Sequence, residues 1–216
     1  MRWSLLRNPE PRSAPEPTLP EAEVHSSVGF NIAYNQIRDL RRLSVLDLGT
    51  AHASNLDFLS QRARSLHIDI EDLYETLSSF DFFDPRESRS YDAVYGYLLP
   101  YGEETRFDLI LGWDLFNYLE ELELAALIRH LDRFCHPGTL LFCMISTNRY
   151  IPEKPIRFQI VDAERLRYEY VSSLLRSSPQ YHRADLNRMM PHFALFSSFR
   201  LRNGFKEYVF SFHGRS

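Results

Sequence analysis

A chain of 216 residues has enough material for one domain with a full core and a tail. A hydrophobic content of 44% with 25% charged residues excludes a fibrous or wholly disordered chain. The longest strongly apolar run, residues 139–145, falls far short of the ~20 residues that cross a bilayer as a helix. The first residues carry positive charge but no apolar segment of signal-peptide length. Cys135 and Cys143 form neither a disulfide framework nor a metal-binding spacing. The expectation is a reduced, cytoplasmic protein with no metal and no membrane partner.

The net charge of −4 demands no nucleic-acid partner. Its distribution is uneven: residues 151–216 hold eleven Lys and Arg against six Asp and Glu, whereas residues 1–150 hold fourteen against twenty-three. The basic C-terminal part either favours an anionic substrate or is a solvated surface.

In chain order, residues 1–26 come first, with Pro9, Pro11, Pro15, Pro17 and Pro20 separated by polar groups. Such a segment buries too little surface to offset its ordering entropy, so it reads as a disordered tail, able to dock a partner through Trp3, Leu5 and Leu6. The domain then occupies residues 27–216. Phe30, Tyr34, Ile37 and Leu40 recur at three- and four-residue steps, which predicts an amphipathic helix to about residue 42. Residues 43–48 read as a buried strand, 54–64 as a helix and 65–69 as a second strand ending in an acid. Between 71 and 106, Leu73, Leu77 and Phe80 indicate a helix, and 91–98 fits either a helix or a third strand. Residues 107–114 predict a strand, 120–134 a helix stopped by His136-Pro137-Gly138, and 139–146 a further core strand.

Strands alternating with helices at this spacing imply parallel pairing with helices on both faces. After a helix near residues 184–190, the chain ends differently. Asn203-Gly204 lies between two β-rich runs, 194–201 and 205–212, and so predicts a hairpin. The expected fold is a three-layer α/β/α sandwich, its sheet mostly parallel with a C-terminal antiparallel β-hairpin. A dinucleotide-binding domain is disfavoured by that hairpin and by the missing G-x-G-x-x-G spacing.

Ligands of open α/β sheets bind beyond the carboxyl ends of the strands. Asp47 and Gly49 follow the first strand, Asp69 ends the second, and Gly112, Trp113 and Asp114 follow the next. Asp47 and Asp69 stand 22 residues apart, near the ~20 that separate a glycine turn from a ribose-binding acid. Glu71 or Asp72 takes that role if the second strand ends later.

The ordered set Asp47-Leu48-Gly49-x-Ala51-x-Ala53, Asp69, Phe107-Asp108-Leu109-Ile110-Leu111 and His136-Pro137-Gly138-Thr139-Leu140-Leu141-Phe142 resembles the motifs of class I S-adenosylmethionine-dependent methyltransferases. The resemblance spans about residues 28–212. It departs from the family at Ala51 and Ala53, where alternating glycines are usual. It implies S-adenosylmethionine as cofactor, with Asp47, Gly49 and Ala51 beside its methionine part and Asp69 on its ribose. Gly112 would border the cofactor, and Trp113 and Asp114 would lie near the sulfonium and the substrate mouth. The implied reaction is methyl transfer to a small-molecule or protein acceptor, the alternative being a non-catalytic binding protein of the same fold. Such a transfer needs alignment and exclusion of water rather than a protein nucleophile. A base for a protonated acceptor has three candidates: Asp114, His52 and His192. Trp113 reads equally as a core aromatic. Asn117 and Tyr118 either face the pocket or pack beneath the next helix. Met189, Met190, Pro191, His192 and Phe193 either line an acceptor pocket or pack a helix end on the sheet. Asp108 and Cys143 read as structural.

Overall fold

The buried run that opens the domain's sheet is β2 (Arg42–Asp47), preceded by β1 (Glu23–Ser26) and α1 (Val28–Ile37). These belong to a computed structural model that describes residues 19–61, 63–79 and 88–214. The chain continues through α2 (Ala53–Ser60), β3 (Ser65–Ile70), α3 (Leu73–Ser78), α4 (Ser88–Leu98), β4 (Phe107–Trp113), α5 (Glu121–Leu131) and β5 (Cys135–Ser146). Four short strands follow: β6 (Tyr150–Pro152), β7 (Arg157–Asp162), β8 (Arg165–Glu169) and β9 (Leu175–Ser177). Then come α6 (Arg183–Met189), β10 (Phe193–Arg200) and β11 (Phe205–Phe212).

The central sheet has the order β10–β11–β5–β4–β2–β3. Pairing is parallel from β3 through β2 and β4 to β5, with Leu46 opposite both Asp69 and Ile110. It is antiparallel from β5 to β11 and on to β10, as the Asn203-Gly204 turn predicts. Gly204 has φ +86°, a conformation that a tight turn takes readily from glycine. The three-layer sandwich expected from the strand–helix alternation is therefore the fold. One core lies between the sheet and α4–α6, built on Leu46, Ile110, Leu127, Leu141 and Phe210. The other lies beneath α1 and α2, built on Phe30, Val45, Leu111, Phe142 and Val209.

One open alternative is decided, and two details differ from expectation. Residues 91–98 are helical: Tyr91, Tyr95 and Leu98 recur at helical steps and are buried in the same core as α5. Among the described residues β3 is consequently a sheet edge. The tail boundary drawn after residue 26 falls within ordered chain, because Glu23–Ser26 pair with β8. Residues 1–18 lie outside the described residues, so the partner-docking motif at Trp3, Leu5 and Leu6 does too. Finally, α5 ends at Leu131 and one 3-10 turn leads into β5, which already contains His136-Pro137-Gly138.

Sequence periodicity assigns no element between β5 and α6, yet this segment forms two small sheets, β1–β8–β7 and β6–β9. In β7 and β8, Phe158, Ile160, Leu166 and Tyr168 are buried and alternate with polar or exposed neighbours, the period-2 signature of a half-buried hairpin. The hairpin packs on the α1–α2 side of the central sheet.

Glu207, on β11, is fully buried and ties that side together. One oxygen accepts the Ser27 hydroxyl, and the other accepts the Gly29 backbone N–H at 2.7 Å, fixing the start of α1 against the sheet. Burial raises the Glu207 carboxyl above the usual range, and these two donors oppose the shift. Glu207→Ala is expected to destabilise the protein by about 3 kcal/mol in urea denaturation, because it strands two buried donors. Glu207→Gln, which keeps an acceptor oxygen, should cost markedly less.

Candidate functional site

The parallel strands β2, β3 and β4 end side by side, and their carboxyl ends bring most of the predicted polar groups together. Asp47 closes β2 and is 1% exposed. Its Oδ1 accepts the Gly49 N–H at 3.0 Å and the Trp113 indole N–H at 2.6 Å. Its Oδ2 is buried with no hydrogen-bond partner. Burial pushes the carboxyl up to about 6, against the pull of Gly49, Trp113 and the nearby Asn55 amide. The Asn55 amide is itself held by β7, donating to Phe158 O and accepting Ile160 N–H.

Asp114 follows β4 and is 2% exposed. Its Oδ2 accepts the Ile156 N–H at 3.1 Å, and burial raises the carboxyl to about 7. Asp114 therefore holds the segment before β7 and is covered by it. Asn117 acts as a staple nearby. Its amide donates to the carbonyls of Asp114 and Met144 at 2.7 and 2.9 Å, and its oxygen accepts Ser146 N–H at 2.7 Å. Tyr118 places its hydroxyl 3.1 and 2.9 Å from the carbonyls of Pro152 and Lys154.

The glycine loop needs no left-handed residue. Among the described non-glycine residues only Trp113 and Gln180 have positive φ, so Ala51 and Ala53 carry no backbone strain. Ala51 is exposed, and His52 caps α2 by accepting Ser54 N–H at 3.3 Å. The acid facing this loop is Asp72, whose carboxylate accepts the Thr50 hydroxyl at 2.7 Å. Asp69 sits inside β3, one residue before its end, and contacts His67 at 3.1 Å. Gly112 is buried in β4, where a Cβ would lie 3.3 Å from the Phe116 ring, so its bareness serves core packing.

Trp113 is 3% exposed. It stacks on Phe158 with centroids 5.3 Å apart and planes 6° from parallel, and on Phe30 at 6.3 Å. Its φ is +44°, a strained conformation for a bulky side chain that costs on the order of 1–3 kcal/mol. A Cβ on Gly49 would fall 2.6 Å from Trp113 Cδ1, so the indole covers the bare face of the glycine.

S-adenosylmethionine must match both the polar groups and the space of this site. A carboxylate with a buried free oxygen beside a bare glycine suits its polar methionine part. The space does not: the cavity bounded by Gly49, Asp72, Trp113, Asp114 and Ile156 measures about 20 Å³, and that by Thr50, Asp72 and Arg157 about 40 Å³. Sites for ligands of this size run to roughly 300–1,000 Å³. With Trp113 in this position the residues do not fit the cofactor.

Larger concavities lie elsewhere. One of about 620 Å³ opens at the amino ends of β4 and β5, beside Asp132, and is wide open to solvent. His192 belongs to this end, 2.6 Å from the Asp132 carboxylate, and is thus separated from Asp114 by the length of the sheet. Ligands of open α/β sheets occupy the other end. Another, about 360 Å³, borders Ser146 at the carboxyl end of β5 and is lined by Tyr181, Arg183, Arg200, Lys206 and Tyr208. Met189, Met190 and Phe193 are buried core residues. Cys143 is fully buried in β5, and burial pushes its thiol far up, as a structural residue requires.

The raised carboxyls have a measurable consequence. A buried acid whose pKa is higher in the folded than in the unfolded chain binds more protons when folded. Its contribution to stability is therefore greatest below pH 4 and falls as pH rises to about 6 for Asp47 and 7 for Asp114. Asp114→Asn, which keeps an acceptor for Ile156 N–H, should flatten this decline between pH 4 and 7.5 in urea titrations, and raise stability at pH 7.5 by a few kcal/mol. An unchanged pH profile would show that Asp114 titrates normally.

Comparison with known proteins bears on the same region. The family model described as "Methyltransferase domain" matches residues 18–211. No curated protein is detectably similar in sequence. Among solved structures, the 1,6-didemethyltoxoflavin-N1-methyltransferase of Burkholderia thailandensis is 13% identical, covering 86% of this chain and 76% of that one, with a TM-score of 0.45. A S-adenosylmethionine-dependent methyltransferase of Clostridium acetobutylicum is 11% identical over 86% and 91% of the two chains, at 0.45. The N-methyltransferase NodS of Bradyrhizobium japonicum is 10% identical over 85% and 94%, at 0.44. Since the family model spans nearly the whole described chain, this protein belongs to the methyltransferase domain family.

Proposed function

We propose that the chain transfers a methyl group from S-adenosylmethionine to a small anionic acceptor. The observation that carries the donor assignment is the pairing of Asp47 with Gly49 at the tip of β2. A buried carboxylate oxygen without a partner sits there beside a glycine whose bare face only a side chain covers. The acceptor class rests on the crevice of about 360 Å³ at the end of β5, a ligand-sized volume. Arg183, Arg200 and Lys206 line it, and none of the three forms an ion pair among the described residues. Asn117 joins its wall at Ser146 to the Asp114 backbone, so the two places are one side chain apart. The buried Cys143 thiol, which forms no disulfide among the described residues, supports a reducing, cytoplasmic setting. No described helix is long and apolar enough to cross a membrane.

A second reading is a non-catalytic binding protein of the same fold, and the position of Trp113 favours it. Calorimetry with S-adenosylhomocysteine on the full chain separates the two. Binding by millimolar ligand, weakened at least tenfold by Asp47→Ala, is expected for the first; no heat at that concentration, from the wild type and from a Trp113→Gly variant alike, would establish the second. For the acceptor, Arg200→Ala with Lys206→Ala should lower kcat/KM at least tenfold for labelled-methyl transfer to carboxylate or phosphate compounds, with donor affinity unchanged. Equal rates in the double variant would remove the anionic assignment.

A further inference from the structure

We infer that Trp113 closes the donor crevice in the resting protein, and that the donor binds only after the indole has left Gly49. This rests on the donor assignment above. The indole lies where a bare glycine would otherwise admit a ligand, at a distance that even one methyl group on residue 49 would violate. Its N–H takes Asp47 Oδ1, so the plug uses the carboxylate that the donor would need. Two rings, Phe30 and Phe158, hold it flat, and its backbone stands in the left-handed region. Departure of the indole breaks one hydrogen bond and the stacking on Phe30 and Phe158.

The segment from Tyr150 to Ser177 straps the plug in place, and it is tied to three walls of the crevice. Asn55 of α2 donates to Phe158 O at 3.0 Å and accepts Ile160 N–H at 2.7 Å. Tyr74 and Glu75 of α3 reach Glu153 O at 3.0 Å and Lys154 Nζ at 2.9 Å. Asp114 and Tyr118, beyond β4, hold Ile156, Pro152 and Lys154. Phe158 is therefore both the ring that covers Trp113 and the residue Asn55 clamps. Opening requires the strap to release Phe158 or the indole to slide from beneath it.

A ligand that binds a minor open form shows an affinity reduced by the fraction open. Removing the plug restores that fraction. Trp113→Gly is the suitable variant, because glycine adopts φ +44° without strain. Calorimetry with S-adenosylhomocysteine on the full chain should show at least tenfold tighter binding by Trp113→Gly than by the wild type, and adding Asp47→Ala should abolish the gain. Equal or tighter binding by the wild type would overturn the inference and leave the donor assignment standing, since Trp113 would then be a wall of the pocket. No binding by either folded protein would overturn both. A second measurement avoids the variant. Trp3 and Trp113 are the only tryptophans, so a Trp3→Phe protein reports Trp113 alone. Its emission should start blue and quencher-protected, then shift red and become accessible to acrylamide as S-adenosylhomocysteine saturates. Bound ligand with no spectral change would overturn the inference.

Discussion

The hydrogen bond from the Trp113 indole to Asp47 is the constraint on which the carboxyl end of the sheet depends. It joins the tips of β2 and β4, satisfies one oxygen of a buried carboxylate and fixes the ring over Gly49. Without it, Asp47 would keep the Gly49 N–H as its remaining hydrogen-bond donor, and its raised pKa shows how incompletely the buried carboxylate is already compensated. The ring thus stabilises the site it fills. The strained backbone at residue 113 is tolerated because three aromatic neighbours, Phe30, Phe142 and Phe158, define its place.

Around this bond the two faces of the sheet are used differently. The α4–α6 face is an apolar core with few polar ties. The α1–α2 face carries the added hairpin β7–β8 and is pinned by buried polar side chains: Glu207 at the start of α1, Asn55 from α2 to β7, and Asp114 to Ile156. Buried polar groups are retained at a desolvation cost, and here Glu207 joins a helix start to the sheet, Asn55 joins α2 to the strap, and Asp114 joins the strap to the tip of β4. The polar network follows the closed crevice, whereas the apolar face follows the general demand for a core.

Much of the frame was legible because it rests on local patterns. Leu43, Val45 and Leu46 read as a buried strand, Leu124, Leu127, Ile128 and Leu131 as one face of α5, and Asn203-Gly204 as a hairpin turn, each from spacing alone. The helical nature of residues 91–98 was ambiguous because aromatic residues serve strands and buried helices alike; packing against α5 decided it. The β7–β8 alternation was present in Phe158, Ile160, Leu166 and Tyr168, but short strands interleaved with arginines give a weak signal. Glu207 and Asn55 gave none: a lone polar residue in a strand or helix reads as solvated until its partners, more than 100 residues away, are placed beside it.

The candidate site divides the same way. The sequence by itself determined that Asp47, Gly49, Trp113 and Asp114 meet, because parallel strands of matched length end together whatever their side chains do. It also determined family membership, through motif order along one chain. Tertiary structure alone decided that Asp72 rather than Asp69 faces the loop, that the alanines at 51 and 53 are unstrained, and that His192 stands at the opposite end. Above all it decided that the crevice is filled. Occupancy of a site is set by rotamers, backbone φ and a strap from a distant segment, and such long-range contacts leave no periodic mark in the residues that make them.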